Sequence, residues 1–146
     1  MKNSGKSKLF TPSCKIYLAP SRIPHAGRGV FARKHISEGD LIERCPVLEL
    51  PTRDIPLLEK TLLHNYYFLW GEELSQVAIA LGFGSLYNHS YSPNATYHKF
   101  MKKRYLEFIA IKDIAENEEI TVNYNHGNPD DKSPLWMNDV PSVDEE

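Results

Sequence analysis

Apolar residues along this chain mostly alternate with polar ones, or come in short runs bounded by Gly, Pro and Asn. That pattern predicts a mainly β protein built of many brief strands. "CKIYLAPS" and "GVFARKHI" read as strands around a turn at Pro24 to Gly29, and "GDLIERCPVLEL" follows the turn Glu38-Gly39-Asp40. Pro46, Pro51 and Pro56 are then expected to interrupt the ladder. In "LLEKTLLHNYYFLW", Leu58, Leu62, Leu63 and Tyr66 stand at near-helical spacing, which predicts a short helix or helical turns. "SQVAIALGFG" reads as an apolar strand ending in two glycines. "YLEFIAIKDI" and "EEITVNYN" read as alternating strands, the latter with Ile120, Val122 and Tyr124 on one face. No internal repeat is present.

Composition narrows the class without naming a chemistry. A chain of 146 residues, 41% hydrophobic and 25% charged, suits one compact domain. No run of about 18 apolar residues occurs, and "MKNSGKSKLF" lacks the apolar stretch of a secretory signal. The expectation is a soluble intracellular protein, with a nuclear location or secretion into a host left open. Cys14 and Cys45 lie far apart with no C-x-x-C, so they are expected to be reduced thiols in the core or in strands. The net charge of -2, with scattered basic residues, lacks the footprint of a nucleic-acid binder. Lys2, Lys6 and Lys8 make a basic arm, and "DVPSVDEE" an acidic end.

Three local oddities carry the chemistry. "HAGRGVFA" sets Gly27 and Gly29 around Arg28, where missing side chains let backbone approach a ligand closely. It opens a strand and lacks G-x-x-x-x-G-K-[ST], so it is no phosphate loop. "LGFGSLYNHSYSPNA" places Asn88 and His89 together. Each side chain both donates and accepts, a combination suited to the edge of a heteroaromatic base, although a polar turn capped by Asn and Ser explains either residue alone. "EEITVNYNHG" carries Tyr124 toward the end of a strand.

In this order, "GRGVF", "NHSYSPN" and "EEITVNY" resemble the SET domain of protein lysine methyltransferases. The resemblance runs from about Lys15 to Gly127, and the wording of "ALGFGSLYNHSYSPNA" and "AIKDIAENEEITVNYN" is most similar to the small SET-only histone lysine methyltransferases of large DNA viruses. It implies a flexible arm over 1–14, a SET domain over 15–127 and a tail over 128–146. It implies a β-clip of several short sheets whose last strand makes a knot-like crossing beneath earlier chain. It also implies S-adenosyl-L-methionine as cofactor and a lysine-bearing protein or peptide, such as a histone tail, as substrate. Neither nucleic acid nor a membrane is implied as a partner, and a homodimer stays open. By motif position, Gly27, Arg28, Gly29, Asn88, His89 and Tyr124 fall to the cofactor. Tyr124 matches the catalytic tyrosine. Tyr66 matches a second channel tyrosine, with a slip of one onto Tyr67 left open.

Several alternatives stand beside this. His64, His89, His98 and His126 show no metal-ligand spacing, so no metal is expected. Neither cysteine carries a nucleophile signature. Phe68 and Trp70 read as core, and Glu118 and Glu119 as a solvated turn. Where many members carry Cys after "NHS" and a Cys-rich zinc motif after the domain, this chain has Tyr91 and no later Cys, so no post-SET zinc is expected. Asn128 replaces a tyrosine of the viral relatives, which leaves Trp136 as the candidate wall of the lysine channel or as an anchor of the tail. A catalytically inactive SET-fold peptide-binding module is the competing reading. The presence of Asn88, His89 and Tyr124 argues against it.

Overall fold

The computed structural model describes residues 9–135. Its strands are β1 (Ile16–Pro20), β2 (Arg28–Ala32), β3 (Leu41–Leu50), β4 (Tyr67–Trp70), β5 (Gln76–Ala80), β6 (Asn88–His89), β7 (Ala95–Phe100), β8 (Tyr105–Ala110) and β9 (Glu119–Val122). One sheet runs β1-β2-β9-β6 and the other β4-β5-β3-β8-β7. Neighbours are antiparallel except β6 and β9, which pair in parallel. Inward residues of both sheets, among them Val30, Trp70, Leu106, Phe108 and Ile120, form one buried cluster. Each such side chain contributes roughly 1.5–3 kcal/mol by leaving water.

The mainly β expectation holds, and three local expectations are corrected. Pro46 does not interrupt β3 but sits inside it. There β3 changes partner: Leu41 to Pro46 lie against β8, and Val47 to Leu50 against β5. At such a junction a missing N–H costs least, and the Pro46 carbonyl still accepts from Leu81 N at 2.9 Å. The predicted helical stretch is helical only in its first part, as helix α1 (Ile55–Leu58) and a 3-10 turn (Leu62–Asn65), after which Tyr67–Trp70 is a strand. Its leucines do not share a buried face: Leu58 is buried, whereas Leu62 is 72% exposed. Aromatic and β-favouring "YFLW" instead completes a ladder with β5. Cys45 is buried in β3 as expected, but Cys14 is exposed ahead of β1. Strand β7, "ATYHKF", was not anticipated. Its alternation is blurred by Thr96 and Lys99.

The five-stranded sheet curls until its two edges face each other. Phe68 of β4 meets Tyr97 of β7 with ring centroids 5.1 Å apart, edge to face. The gap between these edges becomes part of the site.

Candidate active site

Strand β9 brings the three distant motifs together. It lies between β2 and β6, with Val30 opposite Ile120 and with Asn88 and His89 alongside Thr121 and Val122. Asn94 locks this arrangement. Its amide donates to the Glu119 carbonyl at 2.9 Å, and its oxygen accepts from Thr121 N at 2.9 Å. A buried side chain thus supplies the hydrogen bonds that a further strand would make. The Asn-Pro-Ser composition of the turn therefore serves tertiary pairing as well as local bending.

His89 is 1% exposed and does not line a cleft. Its Nδ1 accepts from the backbone N–H of Tyr124 at 3.0 Å, which places the proton of the neutral ring on Nε2. It therefore orients the residue that follows β9. The Tyr124 hydroxyl in turn donates to the Tyr87 carbonyl at 2.7 Å. Burial, followed by the neighbouring Tyr66 and Glu119, pushes the Tyr124 hydroxyl well above the ordinary phenol range. Burial and then Tyr124 do the same to Tyr97. Both remain neutral hydroxyls at physiological pH.

The loop carrying the Tyr87 carbonyl is held by a residue that no motif in the sequence marks. Buried Glu43 of β3 accepts from the Tyr87 hydroxyl at 2.8 Å and from Phe83 N at 3.0 Å. Glu119, expected in a solvated turn, is instead a hydrogen-bonded junction. Its carboxylate accepts from Ser21 Oγ at 2.8 Å, Arg22 N at 3.1 Å and Asn88 Nδ2 at 2.9 Å. Asn88 Nδ2 donates in addition to the Arg28 carbonyl at 3.0 Å. A carboxylate just before an apolar strand reads as solvent-facing; only the approach of β1, β2 and β6 reveals its donors.

Two cavities meet here. A cleft of about 230 Å³ is lined by Gly27, Arg28, Tyr66, Ser85, Asn88 and Tyr124, among others. A narrower one, about 40 Å³, runs between the facing sheet edges and is walled by Tyr66, Tyr67, Tyr97, Tyr124 and Lys99. Tyr66, Ser85 and Tyr124 belong to both. Among the described residues no carboxylate lines the narrow cavity. Tyr67 touches only the narrow one, and its hydroxyl is turned to Glu59 at 2.8 Å; burial and that bond push its pKa up to about 12. Tyr66 is thus the better match to the junction. Gly29 faces neither cavity. A Cβ there would stand 3.0 Å from the Asn88 amide nitrogen and would collide with the Glu119 carboxylate, so the missing side chain makes room for these protein groups. Gly27, at φ 75°, does present bare backbone to the cleft. A larger cavity of about 630 Å³ lies over β1 and β3 and includes neither Asn88 nor Tyr124.

Beyond β9 the chain folds back over the site. Asn123 Nδ2 donates to the Asp131 carbonyl at 2.7 Å, and the Tyr91 hydroxyl to the Ser133 carbonyl at 3.0 Å. Trp136, the expected channel wall, lies outside the described residues. Among the described residues no group of three or more His, Cys, Asp or Glu side chains could hold a metal ion, and no helix is long and apolar enough to cross a membrane.

The same arrangement recurs in known proteins. The SET domain family matches residues 27–125. A fission-yeast (Schizosaccharomyces pombe) histone-lysine N-methyltransferase specific for histone H3 lysine 37 is 32% identical over 117 residues, covering 80% of this chain and 74% of the yeast protein. A crystal structure of a candidate histone methyltransferase of Plasmodium falciparum superposes with a TM-score of 0.60 at 31% identity, over 77% of this chain and 94% of that one. Polycomb Repressive Complex 2 of Chaetomium thermophilum, bound to S-adenosylmethionine, shares the fold alone: TM-score 0.62 at 21% identity, over 82% of this chain and 16% of that one. With the three motifs assembled around β9 and the match extending from Gly27 through Asn125, the chain belongs to the SET domain family.

Proposed function

We infer that this chain transfers a methyl group from S-adenosylmethionine to the side-chain amine of a lysine in a protein, with a histone as substrate. The meeting of a wide cleft and a narrow tyrosine-walled cavity at Tyr66, Ser85 and Tyr124 carries this reading, because such a transfer needs two ligands that touch at one point. The histone methyltransferases among its relatives support the substrate class, and a histone substrate implies a nuclear location. A likeness to the small viral enzymes rests on motif wording alone. The catalytic unit proposed is 15–127, with residues 128–135 folded back over it.

The cleft residues fit the cofactor. Among the described residues, no atom beyond Gly27 and its two chain neighbours lies within 4 Å of where a Gly27 Cβ would stand, so a ligand can approach the backbone there. Asn88 has committed its Nδ2 to Arg28 and Glu119, so its oxygen is the atom offered to a ligand. S-adenosylmethionine, when bound, supplies an electrophilic methyl on a sulfonium that is its own leaving group. The protein's share is alignment, and a narrow aromatic tube restricts the amine to one approach. Enclosure also lowers the pKa of the entering ammonium and so favours the nucleophilic neutral amine. Neutral tyrosines suit this purpose, whereas a carboxylate would hold the lysine charged. The Tyr124 proton is committed to the Tyr87 carbonyl, so this hydroxyl meets the reacting groups through its lone pairs. An extended peptide beside a strand edge, with only its lysine inserted, suits the gap between β4 and β7.

Incubation of the chain with core histones and isotopically labelled S-adenosylmethionine is expected to label a lysine, read by mass spectrometry. Cofactor at 100 times its dissociation constant adds about 2.7 kcal/mol of stability, visible as a thermal shift. No label and no shift would overturn the inference.

The two adjacent tyrosines separate in a paired substitution. Tyr66→Phe is expected to lower kcat/KM by about tenfold or more, the value of one good hydrogen bond at a reacting centre. Tyr67→Phe is expected to act on stability instead, at about 1 kcal/mol, through loss of the bond to Glu59. Steady-state kinetics and melting curves of both variants check this; the reverse pattern would move the role to Tyr67.

A further inference from the structure

Lys99 breaks the pattern of its own strand. Ala95, Tyr97 and Lys99 share one face of β7, and the first two are buried. A cation then follows where the alternation calls for an apolar residue. Its Nζ donates to the carbonyl of Leu69 on β4 at 2.8 Å, so it bridges the two facing edges of the five-stranded sheet and lines the narrow cavity between them. Inward lysines on edge strands commonly discourage unwanted strand pairing. Here the edge in question is the one beside the tyrosine-walled channel.

The charges around it are one-sided. Among the described residues lining the cavity there is no Asp or Glu to pair with Lys99. His126 is the other basic residue there, with its pKa pulled down by burial and by Lys99 and raised somewhat by Asp131. Burial lowers the pKa of Lys99 to about 8, which still leaves it mostly protonated at neutral pH. A half-buried ammonium whose partner among the described residues is a neutral carbonyl gains from a second, charged acceptor and loses from a second cation.

We propose that Lys99 sets which side chains are accepted beside the target lysine, favouring a peptide with a carboxylate next to it and disfavouring one with arginine or lysine there. The proposal rests on the methyltransferase reading above and specifies the substrate of that same site. Positive selection by a new ion pair and rejection by like charge act together, as in other charge-coded recognition.

The test uses the full chain and a set of peptides identical except for Glu, Gln or Arg at each position from two before to two after the methylated lysine. For wild type, Glu is expected over Arg by about tenfold in kcat/KM at one or more positions, a ratio equal to ~1.4 kcal/mol. In Lys99→Gln, which keeps a donor for Leu69 but no charge, and in Lys99→Met, the preference should vanish; in Lys99→Glu it should invert. Cofactor affinity should stay within about twofold of wild type in all three, since Lys99 lies outside the cofactor cleft. If wild type methylates the set without discriminating, or if the preference survives in Lys99→Gln, the role of Lys99 is refuted and methyl transfer stands. If wild type binds cofactor but methylates no peptide or histone, both fall.

Discussion

Tyr124→Phe is expected to lower methyl transfer by about 100-fold or more, the scale on which small misplacements at a reacting centre act. Affinity for S-adenosylmethionine should change little. The ring of Tyr124 packs against the core and its backbone N–H is held by His89, and neither depends on the hydroxyl. Removal of that oxygen leaves the Tyr87 carbonyl without its 2.7 Å donor, at a stability cost of roughly 1–3 kcal/mol. It also removes the lone pairs proposed to face the reacting amine and methyl. Single-turnover kinetics with a histone substrate, beside calorimetry for the cofactor and a melting curve, separate the contributions. Full activity in the variant would remove Tyr124 from the chemistry, whatever its effect on stability.

Glu119→Ala is expected to weaken cofactor binding by about tenfold or more, with a stability loss of about 2 kcal/mol once partial exposure is taken into account. The carboxylate gathers Ser21, Arg22 N and the Asn88 amide, so it ties the loop after β1 to β6 beneath the cleft. Without it, Asn88 keeps only the Arg28 carbonyl as a restraint. Asn88→Ala should weaken the cofactor to a similar degree, and the double variant should fall short of the sum of the two effects because they share one bond. Unchanged affinity in both by calorimetry would reduce this network to a brace. Additive effects would show that Asn88 and Glu119 act separately.

The mainly β class was legible because alternation over "YLEFIAIKDI" and "EEITVNYN" is a local property of strands buried on at least one face. The family was legible because "GRGVF", "NHSYSPN" and "EEITVNY" stand in order; Gly27, Asn88 and Tyr124, one from each motif or beside it, line one cleft. The sequence alone could not show that "YFLW" forms a ladder, because leucines at near-helical spacing precede it and its partner, β5, comes only after a further turn. It could not show that Gly29 is small for the sake of Glu119 and Asn88, or that His89 serves Tyr124. Glu43, Asn94, Lys99 and Glu119 look like ordinary polar residues in the chain. Their roles depend on partners 24 to 98 residues away. Periodicity and motif order are written into neighbouring residues, so the sequence determined the class and the family. Hydrogen-bond partners and the two joined cavities exist only where β9 passes between β2 and β6 and the larger sheet curls, because those contacts form between segments whose separation along the chain carries no record of their meeting.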